Sequence, residues 1–134
     1  ENLDLAIIGA EWGEGKRSKW LSSYTLACID GEGRFLEVGK VSTGLKEKRE
    51  EGLSFAEITD MLKPLIKKDK GKEVEVKPKI VIEVGYEEIQ KSPTYSSGYA
   101  LRFPRVIQLR GDKGAEDIAT LKIVETFYNR QMKK

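Results

Sequence analysis

The sequence predicts a mainly-β fold: a small barrel of five to six strands, with one helix between strands and a second helix at the C-terminus. Short β-prone apolar runs fill the first third of the chain, and alternating apolar residues return from Ile80 onward. Two amphipathic stretches at helical spacing, one behind Ser54 and one from Ala115, account for the helices. A chain of 134 residues is the size of one ordinary domain, and residues 1–134 are read as one.

Leu3-Asp4-Leu5-Ala6-Ile7-Ile8 is the first strand, ending at Gly9, and a polar glycine-rich loop runs from Gly13 to Ser18. Tyr24 to Ile29 and Phe35 to Val41 are the next two strands, joined by Asp30-Gly31-Glu32-Gly33, a composition that favours a hairpin turn. Ser54-Phe55-Ala56-Glu57 has the form of a capping box, with Ser54 as N-cap and Glu57 reaching back to its amide. Behind it Ile58, Met61, Leu62, Leu65 and Ile66 recur at helical spacing, and Pro64 ends or kinks the helix. The charged stretch from Lys63 to Lys79 reads as a solvated loop. Ile80, Ile82, Val84 and Tyr86 alternate onto one face of a fourth strand. After a turn-rich loop from Gln90 to Gly98, Leu101 to Arg110 is the last strand. Pro104 marks an edge or a bulge in it, because proline has no N–H for the ladder. Ile118, Leu121, Val124, Phe127 and Tyr128 share one face of the terminal helix, residues 115–134. Three strands, a helix, two strands and a helix is the order an OB-fold would show.

A net charge of +2 is too small to imply nucleic acid, so the distribution carries the argument. Basic residues cluster at Lys16, Arg17 and Lys19 and at Arg102, Arg105 and Arg110, with Trp12, Trp20, Tyr95, Tyr99 and Phe103 interleaved. No apolar run approaches the roughly 20 residues that span a bilayer. No signal peptide is visible either, so no membrane partner is expected and the chain is placed in the cytoplasm. Without histidine and with Cys28 alone, the ligands for a zinc site are missing, and no metal is expected on this chain. Cys28 has no partner for an internal disulfide and reads as a small core residue. The chain begins at Glu1 rather than Met and is read as a piece of something longer.

Several catalytic patterns fail. Gly13-Glu14-Gly15-Lys16 lacks the first glycine of a P-loop, where Ala10 stands, and Arg17 replaces the hydroxyl residue that would hold Mg²⁺. Cys28-Ile29-Asp30-Gly31 has the spacing of a nucleotidyltransferase Lys-x-Asp-Gly without its lysine, and forms a strand end and turn. The absence of histidine rules out a Ser-His-Asp arrangement.

Four segments, in order, resemble the C-terminal domain of ATP-dependent DNA ligases of the archaeal and eukaryotic replicative type. They are Leu3 to Ala10 continuing through Gly13-x-Gly15-Lys16-Arg17; Val38 to Gly44; Glu83-Val84 followed by Ser92-Pro93-x-Tyr95; and Leu101-Arg102-Phe103-Pro104-Arg105-Val106 followed by Arg110-x-Asp112-Lys113. The last is similar to nucleotidyltransferase motif VI, RFPR followed by R-x-D-K. Gly111 stands where relatives usually have Glu, and Gln108 occupies a position often basic, which weakens one contact to phosphate.

The resemblance implies that the full-length enzyme uses ATP and Mg²⁺, while this domain alone binds neither and lacks the nucleophilic lysine. In the family a lysine takes AMP from ATP, AMP passes to the 5′-phosphate of a nick, and the 3′-hydroxyl seals the strand. Arg102, Arg105, Arg110 and Lys113 match the cations presented to the ATP phosphates, where charge collects as pyrophosphate departs, and Asp112 matches a residue that orients them. For the later steps the resemblance implies a position along the minor groove of nicked double-stranded DNA. Arg102 and Phe103 then lie near the groove, and Lys16, Arg17 and Lys19 lie on backbone phosphates without reading sequence. The implied partners are that DNA and the ligase's own adenylylation and DNA-binding domains. A sliding clamp would bind through the missing domains, and an archaeal source would make the location nucleoid-associated. Two other readings remain at this stage. A free-standing single-strand-binding OB protein would want more stacking aromatics than a fraction of 8% supplies. The OB domain of an mRNA-capping guanylyltransferase shares a motif VI but not the opening pattern or Ser92-Pro93.

Overall fold

The computed structural model describes residues 1–47 and 52–133. Among them the chain forms nine strands, two α-helices and short 3-10 turns. The strands are β1 (Leu3–Trp12), β2 (Leu21–Ile29), β3 (Phe35–Val41), β4 (Ile66–Asp69), β5 (Glu73–Val76), β6 (Val81–Gly85), β7 (Glu88–Lys91), β8 (Tyr99–Arg102) and β9 (Arg105–Leu109). Helix α1 spans Phe55–Leu62 and helix α2 spans Leu121–Met132.

β1 organises the sheet. One edge pairs with β2; the other pairs with β6 over Leu3–Ala6 and with β5 over Gly9–Glu11. The strand therefore runs on to Trp12 instead of ending at Gly9, because β5 completes its second edge. Ile8 is the extra residue of a bulge against β2, between the pairs Ile7–Leu26 and Gly9–Thr25. β2 continues to β3, β5 to β4, and β6 to β9, while β7 and β8 form a separate pair. The sheet is not closed, as in an OB-fold. At the seam between β3 and β9, Val106 N donates to Thr43 O at 2.8 Å and Thr43 Oγ1 donates to Pro104 O at 3.0 Å. Gly44 is required at this seam. Its φ is +99°, and a Cβ there would stand 2.2 Å from Val106 O.

The buried cluster draws on β1, β2, β3, β5, β6, β7, β8, β9 and both helices, with Tyr24, Phe55, Leu5, Leu21, Leu26 and Leu62 fully enclosed. Ser54 caps α1 by accepting from Glu57 N at 3.2 Å, and the Glu57 carboxylate takes the Ser54 hydroxyl at 3.4 Å. Pro64 stops the α-helix, and the chain leaves through a 3-10 turn at Lys63–Leu65. Thr59 ties α1 to the barrel. Its hydroxyl donates to Phe55 O at 2.7 Å and accepts from Leu21 N at 2.9 Å, in a buried setting.

Three segments differ from the sequence reading. The charged stretch after Lys63 is the hairpin β4–β5 rather than a loop, because Val74 and Val76 alternate into the core. In β6 both Val81 and Ile82 are buried. The expected alternation holds: Ile80, Ile82, Val84 and Tyr86 all pack on the main core, while Val81 is buried on the opposite side against Ala6 and Ile118. Leu101 to Arg110 is two strands with different partners, broken at Phe103, whose φ is +52°. The terminal helix also starts later than Ala115. Residues 115–117 form a 3-10 turn, the backbone of Ala119 bonds to Asp4 and Ile29, and Thr120 caps α2 from Ile123 N at 3.1 Å. Lys134 lies outside the described residues.

Two stability measurements check this account. Thr59→Val removes the side-chain acceptor of the buried Leu21 N–H, and should lower the unfolding free energy in urea by about 1–3 kcal/mol. At Phe103 the left-handed backbone costs any L-residue about 1–2 kcal/mol. Phe103→Gly should therefore be more stable than Phe103→Ala, by about 1 kcal/mol once glycine's extra unfolded-state entropy is offset. An alanine variant at least as stable as the glycine variant would contradict the positive φ.

Candidate phosphate and nucleic-acid interface

The β8–β9 turn holds an aromatic ring in water. Phe103 is 61% exposed, and the Arg102 guanidinium lies 5.0 Å from its ring centroid. Arg102 Nη1 also reaches Glu88, its cross-strand neighbour, at 3.4 Å. Arg105 is exposed, with no hydrogen bond or ion pair among the described residues. A large ring held both exposed and in strained backbone is unfavourable for folding on two counts, which makes the turn a candidate contact surface. Phe103 is therefore not a core residue.

At the far end of β9 a charged cluster forms. Arg110 Nη1 stands 3.3 and 3.4 Å from the two carboxylate oxygens of Asp4, while Nε and Nη2 stand 3.4 and 3.5 Å from Asp112. Lys113 Nζ lies 3.8 Å from Asp4 Oδ2, and Lys113 N donates to Arg110 O at 3.1 Å. Glu83 Oε1 is 4.0 Å from Arg110 Nη1, and its carboxylate accepts from Gln108 Nε2 at 2.6 Å and Asn2 Nδ2 at 2.8 Å. The hydrogen bonds from Gln108 and Asn2 hold the Glu83 carboxyl below the usual carboxylate range. That from Arg110 does the same for Asp112, and Arg110 in turn is held more firmly protonated by Asp112.

Asp4 and Glu83 belong to segments that carried the resemblance, yet sequence reasoning gave them no role. The pairing register explains their presence. They face each other directly across β1 and β6, where like charges destabilise a sheet unless a cation spans them. Arg110 is that cation. Gln108, opposite Glu83 on β9, donates to it, so this departure from a basic residue has a structural partner.

The first loop is only partly available. Lys16 and Lys19 are exposed, without hydrogen bonds or ion pairs among the described residues. Arg17 is not free. Its Nε pairs with Glu47 at 3.2 Å and its guanidinium lies 4.6 Å over Phe55, whose ring is stacked with Trp20. Trp12, Trp20 and Tyr99 all pack against the core, so Phe103 alone of the aromatics named with the basic clusters is strongly exposed.

The site residues fall into two places. Thr43 touches Pro104 and Glu47 touches Arg17, and the four residue steps from Thr43 to Glu47 span at most about 14 Å. The first loop and the Phe103 turn are thus linked through the segment from Thr43 to Glu47. Arg110 follows Arg105 by five residues, up to roughly 17 Å along β9. The structure thus does not bring Arg102 and Arg105 together with Arg110, Asp112 and Lys113.

The family model for the ATP dependent DNA ligase C terminal region matches residues 17–113, from Arg17 through Lys113. A DNA ligase of Nanoarchaeum equitans is 55% identical over 98% of this chain, and one of Archaeoglobus fulgidus is 53% identical over 98%. The chain spans only 24% and 23% of the length of those relatives. Among solved structures, the ligase domain of M. tuberculosis LigD aligns with a TM-score of 0.70 at 29% identity, covering 89% of this chain and 38% of that one. A mycobacterial DNA ligase D complexed with ATP and MES aligns with a TM-score of 0.64 at 25% identity, covering 89% and 37%. A family match across most of the chain, an OB-type sheet shared with a ligase domain, and motif residues grouped at the two ends of one strand agree: the chain belongs to the C-terminal region family of ATP-dependent DNA ligases.

Proposed function

We propose that this chain serves an ATP-dependent DNA ligase in two ways. It lies along the minor groove of nicked duplex DNA, and during enzyme adenylylation it brings Arg110 and Lys113 to the ATP phosphates. The supporting observation is that β9 carries two unlike surfaces at its ends: an exposed ring flanked by arginines, and a cation pair seated on a carboxylate. A ring presented beside arginines suits a widened minor groove. Lys16, Lys19, Arg102 and Arg105 suit backbone phosphates, which carry no sequence information.

ATP, held with Mg²⁺ by the adenylylation domain, supplies the adenylyl group and a pyrophosphate leaving group. Arg110 and Lys113 fit the anionic side of that chemistry. Among the described residues the Nε–Nη2 edge of Arg110 is occupied by Asp112 alone, whose side chain is 70% exposed, and an oxyanion can take this edge through two parallel hydrogen bonds. Cations placed where negative charge develops lower the barrier to its departure. Asp112 orients Arg110 until then. No group of three or more potential metal ligands gathers among the described residues. Alone, without the lysine, the chain neither adenylylates itself nor seals nicks. Its partners are the nicked duplex and the other ligase domains, with any sliding clamp on those domains, in the cytoplasm alongside the nucleoid.

Separate measurement of the chemical steps tests this reading, with the chain joined to its adenylylation domain. Arg110→Ala and Lys113→Ala should each slow self-adenylylation by about 100-fold or more, with much smaller effects on sealing a pre-adenylylated nick. Phe103→Ala should show the reverse bias. Equal losses in both steps for all three variants would refute the division of labour.

Duplex binding supplies a second test. Affinity should fall with salt at a log–log slope of about −0.9 per phosphate contact. Lys16→Ala should flatten that slope by about one contact. Arg17→Ala should change it less, because Glu47 and Phe55 already engage that side chain. A slope indifferent to Lys16 would move the DNA face elsewhere.

A further inference from the structure

We infer that Asp4 is the positioning residue for this cation pair: its one carboxylate fixes both Arg110 and Lys113, while Asp112 is the counterion that an incoming phosphate replaces. The inference rests on the reading that Arg110 and Lys113 meet the ATP phosphates, and it assigns a function to a carboxylate in the first strand.

The two carboxylates on Arg110 differ in kind. Asp112 holds the Nε–Nη2 edge at 3.4 and 3.5 Å from an exposed turn, with its side chain 70% exposed. Asp4 holds Nη1 at 3.3 and 3.4 Å with its side chain 19% exposed. Asp4 is rooted in the central strand. Its residue is paired with Glu83 across the sheet, and its carbonyl accepts from Ala119 N at 2.9 Å. An ion pair anchored in rigid backbone and shielded from water persists where an exposed one exchanges readily. An oxyanion that takes the Nε–Nη2 edge therefore displaces Asp112 and leaves Asp4 in place.

Asp4 also solves a problem of like charges. Arg110 and Lys113 are three residues apart in one turn, and both are directed at the same carboxylate, Lys113 at 3.8 Å from Oδ2. Without that negative charge the two cations repel each other. Glu83 cannot substitute, since it lies 4.0 Å from Arg110 and is occupied by Gln108 and Asn2. Asp4 thus keeps two mobile side chains converged, the entropy-reducing placement from which a charged transition state gains most.

The test is Asp4→Asn in the full-length ligase that carries this chain, which keeps the side-chain shape and removes the charge. Self-adenylylation at saturating ATP should slow by about 10- to 100-fold, with sealing of a pre-adenylylated nick changed by less than about threefold. In a background carrying both Arg110→Ala and Lys113→Ala, Asp4→Asn should add little further loss, because its effect passes through those two cations. Equal losses in both steps, or a full further loss in that double-variant background, would reduce Asp4 to a structural residue and overturn the proposal. If Arg110→Ala itself leaves adenylylation intact, the underlying phosphate reading fails and the proposal with it. If Arg110→Ala slows adenylylation and Asp4→Asn does not, the proposal alone fails. A second measurement needs no variant. Inorganic pyrophosphate added to the wild-type enzyme should shift the Asp112 carboxyl carbon resonance and leave that of Asp4 nearly unmoved. Equal shifts at both carboxyls would overturn the anchor.

Discussion

Strand β1 satisfies its backbone on one edge with β2 and divides the other between β6, over its first residues, and β5, over its last. A strand with two edges and three partners must bend between the two that share an edge. The bulge at Ile8 supplies the bend, and Gly9 lets β5 come close, with Val74 O only 3.3 Å from where a Cβ would stand. Everything placed on the surface follows from this. The start of β1 carries Asp4 beneath Arg110, and its end leads into the loop that bears Lys16 and Lys19.

The break at Phe103 has a similar organising effect. A continuous strand would have carried Arg102 and Arg105 along one ladder. The left-handed residue instead sends β8 to β7 and β9 to β6, and turns the ring outward between two arginines. Thr43 holds the turn by accepting from Val106 N and donating to Pro104 O, and the close approach there leaves room only for glycine at Gly44. Backbone strain persists only where surrounding bonds over-determine it. The seam between β3 and β9 provides those bonds, so barrel assembly and the exposed ring depend on the same few contacts.

The charge pattern divides by accessibility. Lys16, Lys19 and Arg105 are exposed and have no ion-pair partners among the described residues, which suits contacts that are screened and exchange readily. Arg110 and Lys113 are half-buried on Asp4, in an environment where a carboxylate is felt more strongly. Arg17 falls between these groups. Its stacking on Phe55, in a stack that continues to Trp20, makes it a brace between the first loop and α1.

The sequence by itself determined what depends on local pattern. Alternation and turn composition delimited β3 and the end of β2, the capping serine and Pro64 bounded α1, and ordered motif residues identified the family and the basic clusters at Lys16 and Arg102. It did not determine what depends on partners far along the chain. Val74 and Val76 were hidden in a charged stretch, because the burial of two valines is decided by β1, more than sixty residues away. Phe103 could be core or surface until the strand break set its direction. Asp4 had no role until the register placed it opposite Glu83 and under Arg110, with 106 residues between donor and acceptor. Hydrogen-bonded capping and periodicity act over a few residues and are written in composition. Ion pairs and burial act through space, and only the folded sheet brings their members within reach.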